Sequence, residues 1–137
     1  MSSAPPRPPE FFLERSLGRL TAEDLRAAGH TVHTVYDLFD DDGADVADEE
    51  WIEYGCSRGW LCLTKDKRIR YRADEIGALR DGHVFCLADG NLARREASQR
   101  LVEAVPAMIR GSDRHAVGFW HVYAGGSVRR MWPRDAV

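Results

Sequence analysis

Apolar residues fall in short dense runs separated by longer mixed segments, and the two textures predict different elements. Phe11-Phe12-Leu13 is too short and too uniformly apolar for an amphipathic helix. It suits a strand buried on both faces, closing in polar Glu14-Arg15-Ser16. Thr21 then precedes Ala22 to Ala28, where a hydroxyl can cap free amides, Glu23 and Asp24 fill the first turn, and Gly29 can take the left-handed C-terminal conformation. A helix is predicted there. The β-branched stretch Thr31 to Val35 predicts a second strand.

Seven carboxylates in the eleven residues from Asp40 to Glu50, with Gly43 among them, predict a solvated loop running into a helix start. Asp48 is expected as cap or first-turn acid of a helix over Glu49 to Arg58, in which Trp51, Ile52 and Gly55 recur near helical spacing before Gly59. Trp60-Leu61-Cys62-Leu63 and Val84-Phe85-Cys86-Leu87 repeat the buried-strand pattern, with a short helix expected at Asp74 to Arg80 between them. A longer helix is expected from about Leu92, with Leu101, Val102 and Val105 on one side and Pro106 kinking or ending it. Ala116 to Tyr123, Gly125-Gly126 and Val128 to Trp132 read as a hairpin. Strands alternating with helices imply an α/β fold with a mainly parallel sheet and helices on both faces.

At 137 residues, the chain is expected to form one domain over residues 10–137. Four of the six prolines crowd residues 1–9, which are expected to be a disordered tail. Cys56, Cys62 and Cys86 are odd in number and form no CxxC pair, which predicts buried thiols and a cytoplasmic setting. No apolar run is long enough to cross a bilayer, so no membrane partner is expected. A formal net charge of -3 excludes a uniformly basic nucleic-acid coat.

Several chemistries lack their residues. There is no GxGxxG or Walker loop, no Gly-x-Ser-x-Gly elbow, and no HxxxH or His/Cys spacing for zinc. The five histidines are expected in turns or at the surface, and the four tryptophans in core or interface packing.

The informative acids are placed by the strands. Glu14 follows the first strand, Asp66 follows the third, and Asp48 opens the helix after the second. In open parallel sheets those ends are where ligand sites assemble. Converging carboxylates repel, and a hard divalent ion such as Mg²⁺ or Mn²⁺ offsets their charge with the oxygen ligands it favours. Lys65, Lys67, Arg68, Arg70 and Arg72 supply five cations in eight residues beside this edge. A carboxylate-held metal that activates water, next to cations that hold phosphates, points to phosphodiester cleavage with RNA or single-stranded nucleic acid as the natural candidate.

Three segments carry a resemblance. Phe11-Phe12-Leu13-Glu14-Arg15-Ser16-Leu17-Gly18-Arg19, Asp48-Glu49-Glu50-Trp51-Ile52 and Leu63-Thr64-Lys65-Asp66-Lys67-Arg68-Ile69-Arg70-Tyr71 together resemble the PIN-like domain of VapC-type toxins, and Gly90-Asn91-Leu92 extends the likeness. The resemblance implies a three-layer sandwich, a metal-dependent ribonuclease activity, and an antitoxin that restrains it. It implies metal ligation by a strand-ending Asp-x-Ser, here Glu14-Arg15-Ser16, by the helix-opening Asp48, and by Thr-x-Asp, here Thr64-Lys65-Asp66.

Two departures stand out. Glu at position 14 is one methylene longer than the family's Asp, enough to displace a metal by about 1 Å. Only 34 positions separate Glu14 from Asp48, too few for the segment that brings a further Glu in longer relatives, so Glu50 or Asp89 is the expected substitute. Lys65, Lys67, Arg68 and Arg70 are the expected RNA contacts, with Ser16, Thr64 and Asn91 in support. A homodimer is expected through the edge of the C-terminal hairpin. The competing reading is a catalytically inactive PIN-like module that binds RNA or protein.

Overall fold

Every residue of Phe11–Leu13 is buried, and this run forms β1 in the computed structural model of the chain, which describes residues 8–68, 77–80 and 82–133. After it come α1 (Arg19–Ala27), β2 (Val32–Thr34), α2 (Val35–Leu38), α3 (Asp48–Ser57) and β3 (Leu61–Thr64). The chain continues with β4 (His83–Leu87), α4 (Arg94–Arg114), β5 (Gly118–Val122) and β6 (Val128–Trp132). The six strands form one sheet in the order β2-β1-β3-β4-β5-β6. All neighbours are parallel except β5 and β6, which form the expected antiparallel hairpin.

The uniformly apolar runs are explained by what covers them. Phe11 and Leu13 of β1, Leu61 and Leu63 of β3, and Phe85 and Leu87 of β4 join Leu25 of α1 and Leu101, Val105 and Met108 of α4 in one hydrophobic cluster. The alternate residues Phe12, Cys62, Val84 and Cys86 join Trp51 and Ile52 of α3, with Leu79, in a second cluster. Helices thus cover both faces, giving the three-layer arrangement, and every strand position near the centre must be apolar. Each fully buried large side chain contributes roughly 1.5–3 kcal/mol.

Several expectations need correction. Thr21 is no cap: α1 begins at Arg19 behind Gly18, and the buried Thr21 hydroxyl donates to the Leu17 carbonyl and pairs with Ser98 of α4. Asp48 is the first residue of α3, with Ala47 at the cap position. Trp60 lies outside β3, which runs on to Thr64. Pro106 neither ends nor breaks the long helix, which runs 21 residues. The proline is exposed, while Leu101, Val105 and Met108 on either side of it are buried. Their combined burial outweighs the roughly 3 kcal/mol that an interior proline costs.

The acidic stretch is the expected solvated loop running into α3, with Asp41 and Asp42 in left-handed conformations, and α2 lies just before it. The histidines are not all peripheral. His83 is buried in β4, where its Nδ1 accepts from the Trp120 indole (3.0 Å) and its Nε2 donates to the His115 carbonyl (2.9 Å). His33 stacks on Trp60 at 3.8 Å. The three cysteines are free and buried, as expected. The proline-rich residues 1–7, residues 74–76 of the helix expected at 74–80, and Arg70 and Arg72 of the basic strip lie outside the described residues.

Candidate active site

The parallel strands β1, β3 and β4 end side by side. Leu13 is opposite Leu63 and Thr64 is opposite Cys86, so the first residue beyond β1 meets the last residue of β3. The Glu14 amide extends the ladder by donating to the Leu63 carbonyl (2.9 Å). Its half-buried carboxylate is therefore delivered to the rim by the most enclosed part of the sheet.

There it is held by three donors. The Ser16 amide donates to Oε2 at 2.6 Å, the Ser16 hydroxyl donates to Oε1, and the Thr64 hydroxyl donates to Oε1 at 2.9 Å. Thr64 is fully buried, and its oxygen also accepts from the Asp66 amide at 3.1 Å. One hydroxyl thus ties the two strand-end acids together. Below them, burial and then the Asp66 carboxylate push the Cys86 thiol up to about 12, with Glu14 adding to the rise and Lys67 opposing it.

The other candidates are placed differently. Asp66 Oδ1 accepts from the Arg68 amide (3.0 Å) and from its guanidinium (3.1 Å). Arg68 thus pairs with Asp66 while its side chain stays 78% exposed. Asp48 Oδ1 accepts from the Trp51 indole at 2.9 Å, one turn along α3. Glu50 is exposed in the first turn of α3, and Asp89 is exposed beyond β4 with its Oδ1 accepting from the Asn91 amide (2.9 Å). Lys65 and Lys67 are exposed on the rim.

Among the described residues no group of three His, Cys, Asp or Glu side chains is arranged to hold one ion. Thr64 links Glu14 to Asp66, while Asp48 is fixed separately through the Trp51 indole. A carboxylate offers about four acceptor positions and the visible donors fill three on Glu14, so room for a cation remains. Two carboxylates and a neutral hydroxyl suit a hard ion that keeps most of its water, as Mg²⁺ does. The donor chemistry fits.

Sequence reasoning overlooked the end of β2. The Thr34 hydroxyl donates to Asp37 (2.8 Å), and Asp37 lies 3.7 Å from Arg26. Thr34 is opposite Leu13, so a third strand-end hydroxyl and acid share this side of the sheet. The hydroxyl three residues before an acid was a signal available in the sequence. Also overlooked was a cavity of about 260 Å³ between the loops after β1, β3 and β4 and the start of α4, lined by Ser16, Lys65, Asp89, Arg94 and apolar neighbours.

A parallel sheet that gathers acids at the ends of its central strands, with helices on both faces, is the frame of the PIN-like domain family, and this chain belongs to it: the family model, described as PIN like domain, matches residues 9–89. That span takes in β1 to β4 with Glu14, Asp48 and Asp66. Among curated proteins the chain is similar to "Putative ribonuclease VapC45" of Mycobacterium tuberculosis (strain ATCC 25618 / H37Rv), at 28% identity over 106 residues that make up 74% of this chain and 77% of the relative. No solved structure matches the chain significantly. None of the helices among the described residues is long and apolar enough to cross a membrane.

Proposed function

We propose that this protein is a toxin-type endoribonuclease that hydrolyses RNA phosphodiester bonds with Mg²⁺ or Mn²⁺. The observation that carries the reading is the Thr64 hydroxyl, which organises Glu14 and Asp66 at the ends of adjacent central strands. When bound, the ion supplies a Lewis acid to the phosphodiester and the attacking water. Glu14 and Asp66 hold it, and Asp48 completes the acid set. Ser16 and Thr64 fix the Glu14 carboxylate so that its oxygens need not reorganise as charge develops. Lys65 and Lys67, both exposed, orient the phosphate backbone. The mycobacterial relative's name supports the ribonuclease and toxin reading and, with it, an antitoxin partner. A homodimer through the free edge of β6 and a cytoplasmic setting belong to the same proposal.

One observation favours a second reading, an inactive RNA-binding or protein-binding module: three donors already engage Glu14, and Arg68 engages Asp66. Incubating purified protein with single-stranded RNA and Mn²⁺ separates the two. The nuclease cuts, and Asp66→Asn abolishes cutting while still binding RNA. Intact wild-type protein that binds RNA but never cuts it establishes the module.

A further inference from the structure

The cavity beside the carboxylates is not used by the reading above, and its lining is of mixed kind. Ser16, which donates to Glu14, and Lys65, which sits between Thr64 and Asp66, put its mouth against the candidate active site. Its lining combines apolar side chains, among them buried Leu87 and half-buried Leu92, with Lys65, Arg94 and Asp89. Neither Lys65 nor Arg94 forms an ion pair among the described residues, whereas Arg68 and Arg100 of the same region are paired with Asp66 and Glu96. Arg94 is moreover the first residue of α4, where the helix dipole disfavours a cation, so an anion beside it would relieve a standing repulsion. Asp89 gives one oxygen to the Asn91 amide and keeps the other as an acceptor.

A free phosphate has no use for the apolar side chains, and a purely apolar ligand has none for two cations and an acid. A nucleotide uses all three: a flat base against leucines, a phosphate between Lys65 and Arg94, and base N–H groups toward Asp89. At about 260 Å³ the space is far smaller than a stacked duplex. We propose that this cavity receives one unpaired nucleotide of the RNA beside the scissile phosphate, and that Asp89 selects bases bearing an exocyclic amino group over uracil, whose N3–H lies between two carbonyl oxygens that a carboxylate repels. The proposal rests on the nuclease reading for its substrate, but not for its test.

Binding is measured by fluorescence anisotropy in EDTA, so that no cleavage enters, with labelled single-stranded A-rich and U-rich RNA and an RNA hairpin. Wild-type protein is expected to prefer single strands to the hairpin, and A-rich to U-rich RNA by roughly tenfold, as one hydrogen bond to a charged acceptor would give. The double variant Lys65→Gln, Arg94→Gln is expected to bind more weakly. Its salt dependence, log affinity against log salt, should be shallower by about 0.7, the loss of the one phosphate held between the two cations on a single strand. Asp89→Ala should erase the base preference, and Leu92→Trp should block binding by filling the space. Should the Trp variant not fold, the double variant decides alone, since both its positions are exposed.

Equal affinity for hairpin and single strand, an unchanged salt slope, or no binding by the wild type overturns the proposal. Failure to cut RNA with all these binding effects intact sinks the nuclease reading alone. Cutting with binding unaffected in every variant sinks this one alone.

Discussion

Thr64→Val removes the hydroxyl that joins the two acids and leaves nearly the same volume in its fully buried place. No cavity forms, so the cost is that of the lost hydrogen bonds. A bond to an ionised carboxylate contributes about 1.5–3 kcal/mol, and the half-buried Glu14 recovers part of that from water, which places this loss near the lower end. The Asp66 amide loses its acceptor as well, at about 1 kcal/mol. Together the destabilisation is about 2–3 kcal/mol, or a drop in Tm of roughly 6–12 °C for a domain of this size. If the reading of the site is right, activity suffers further. Both acids lose a common reference point, and a displacement of about 1 Å costs roughly a hundredfold in rate. Urea unfolding and an RNA cleavage assay on the wild type, Thr64→Val and Thr64→Ser check this, the serine variant being expected to recover most of the rate because it keeps the hydroxyl. A valine variant that unfolds within about 0.5 kcal/mol of wild type and cuts RNA at the same rate would refute the organising role.

Three further outcomes follow from the structure. Burial lowers the pKa of His83 below its ordinary 6.5, against the bond to the His115 carbonyl and with help from the nearby charges of His115 and Arg130. The unfolded state therefore binds more protons, so the stability this site contributes is present above about pH 6.5 and is lost as the pH falls through the folded value. Urea midpoints between pH 7.5 and 5 should fall more steeply for wild type than for His83→Gln, and parallel slopes would contradict it. The Cys86 thiol, at about 12, leaves roughly one part in ten thousand as thiolate at pH 8, so iodoacetamide should modify it only after unfolding. Peptide mapping that finds it labelled in the native protein would show the assignment wrong. At Gly55, an added Cβ would lie 2.5 Å from both the Cys62 sulfur and a ring carbon of Phe12, so Gly55→Ala should lose about 1–3 kcal/mol by overpacking, read from denaturant unfolding.

The strands were legible because burial on both faces leaves a sequence no freedom: Phe11 to Leu13 and Val84 to Leu87 can be little else. Glu14 and Asp66 were legible for the same reason, as the first carboxylates beyond such runs. What local pattern misses is set by distant partners. Thr21 resembles a cap until Ser98 arrives from α4, and Pro106 resembles a stop until the sheet beneath α4 is counted. His83 is buried by Trp120 and His115, more than thirty positions away in the chain. Arg68 bonds back to Asp66 through both its backbone and its side chain, a local closure that counting charges does not reveal. The short α2 holds too few residues for any periodicity to register.

A single peptide bond separates Leu13, sealed in the middle of the molecule, from the half-buried Glu14 at the rim of the sheet. An acid mounted this way cannot drift by itself, because moving it means shifting the packed layers that grip its neighbour like the jaws of a vice. Loops farther along the same border are under no such grip and can change in length or charge at small cost. Evolution can therefore redirect such a tool toward new targets by rewriting its surroundings, while the bit itself stays clamped.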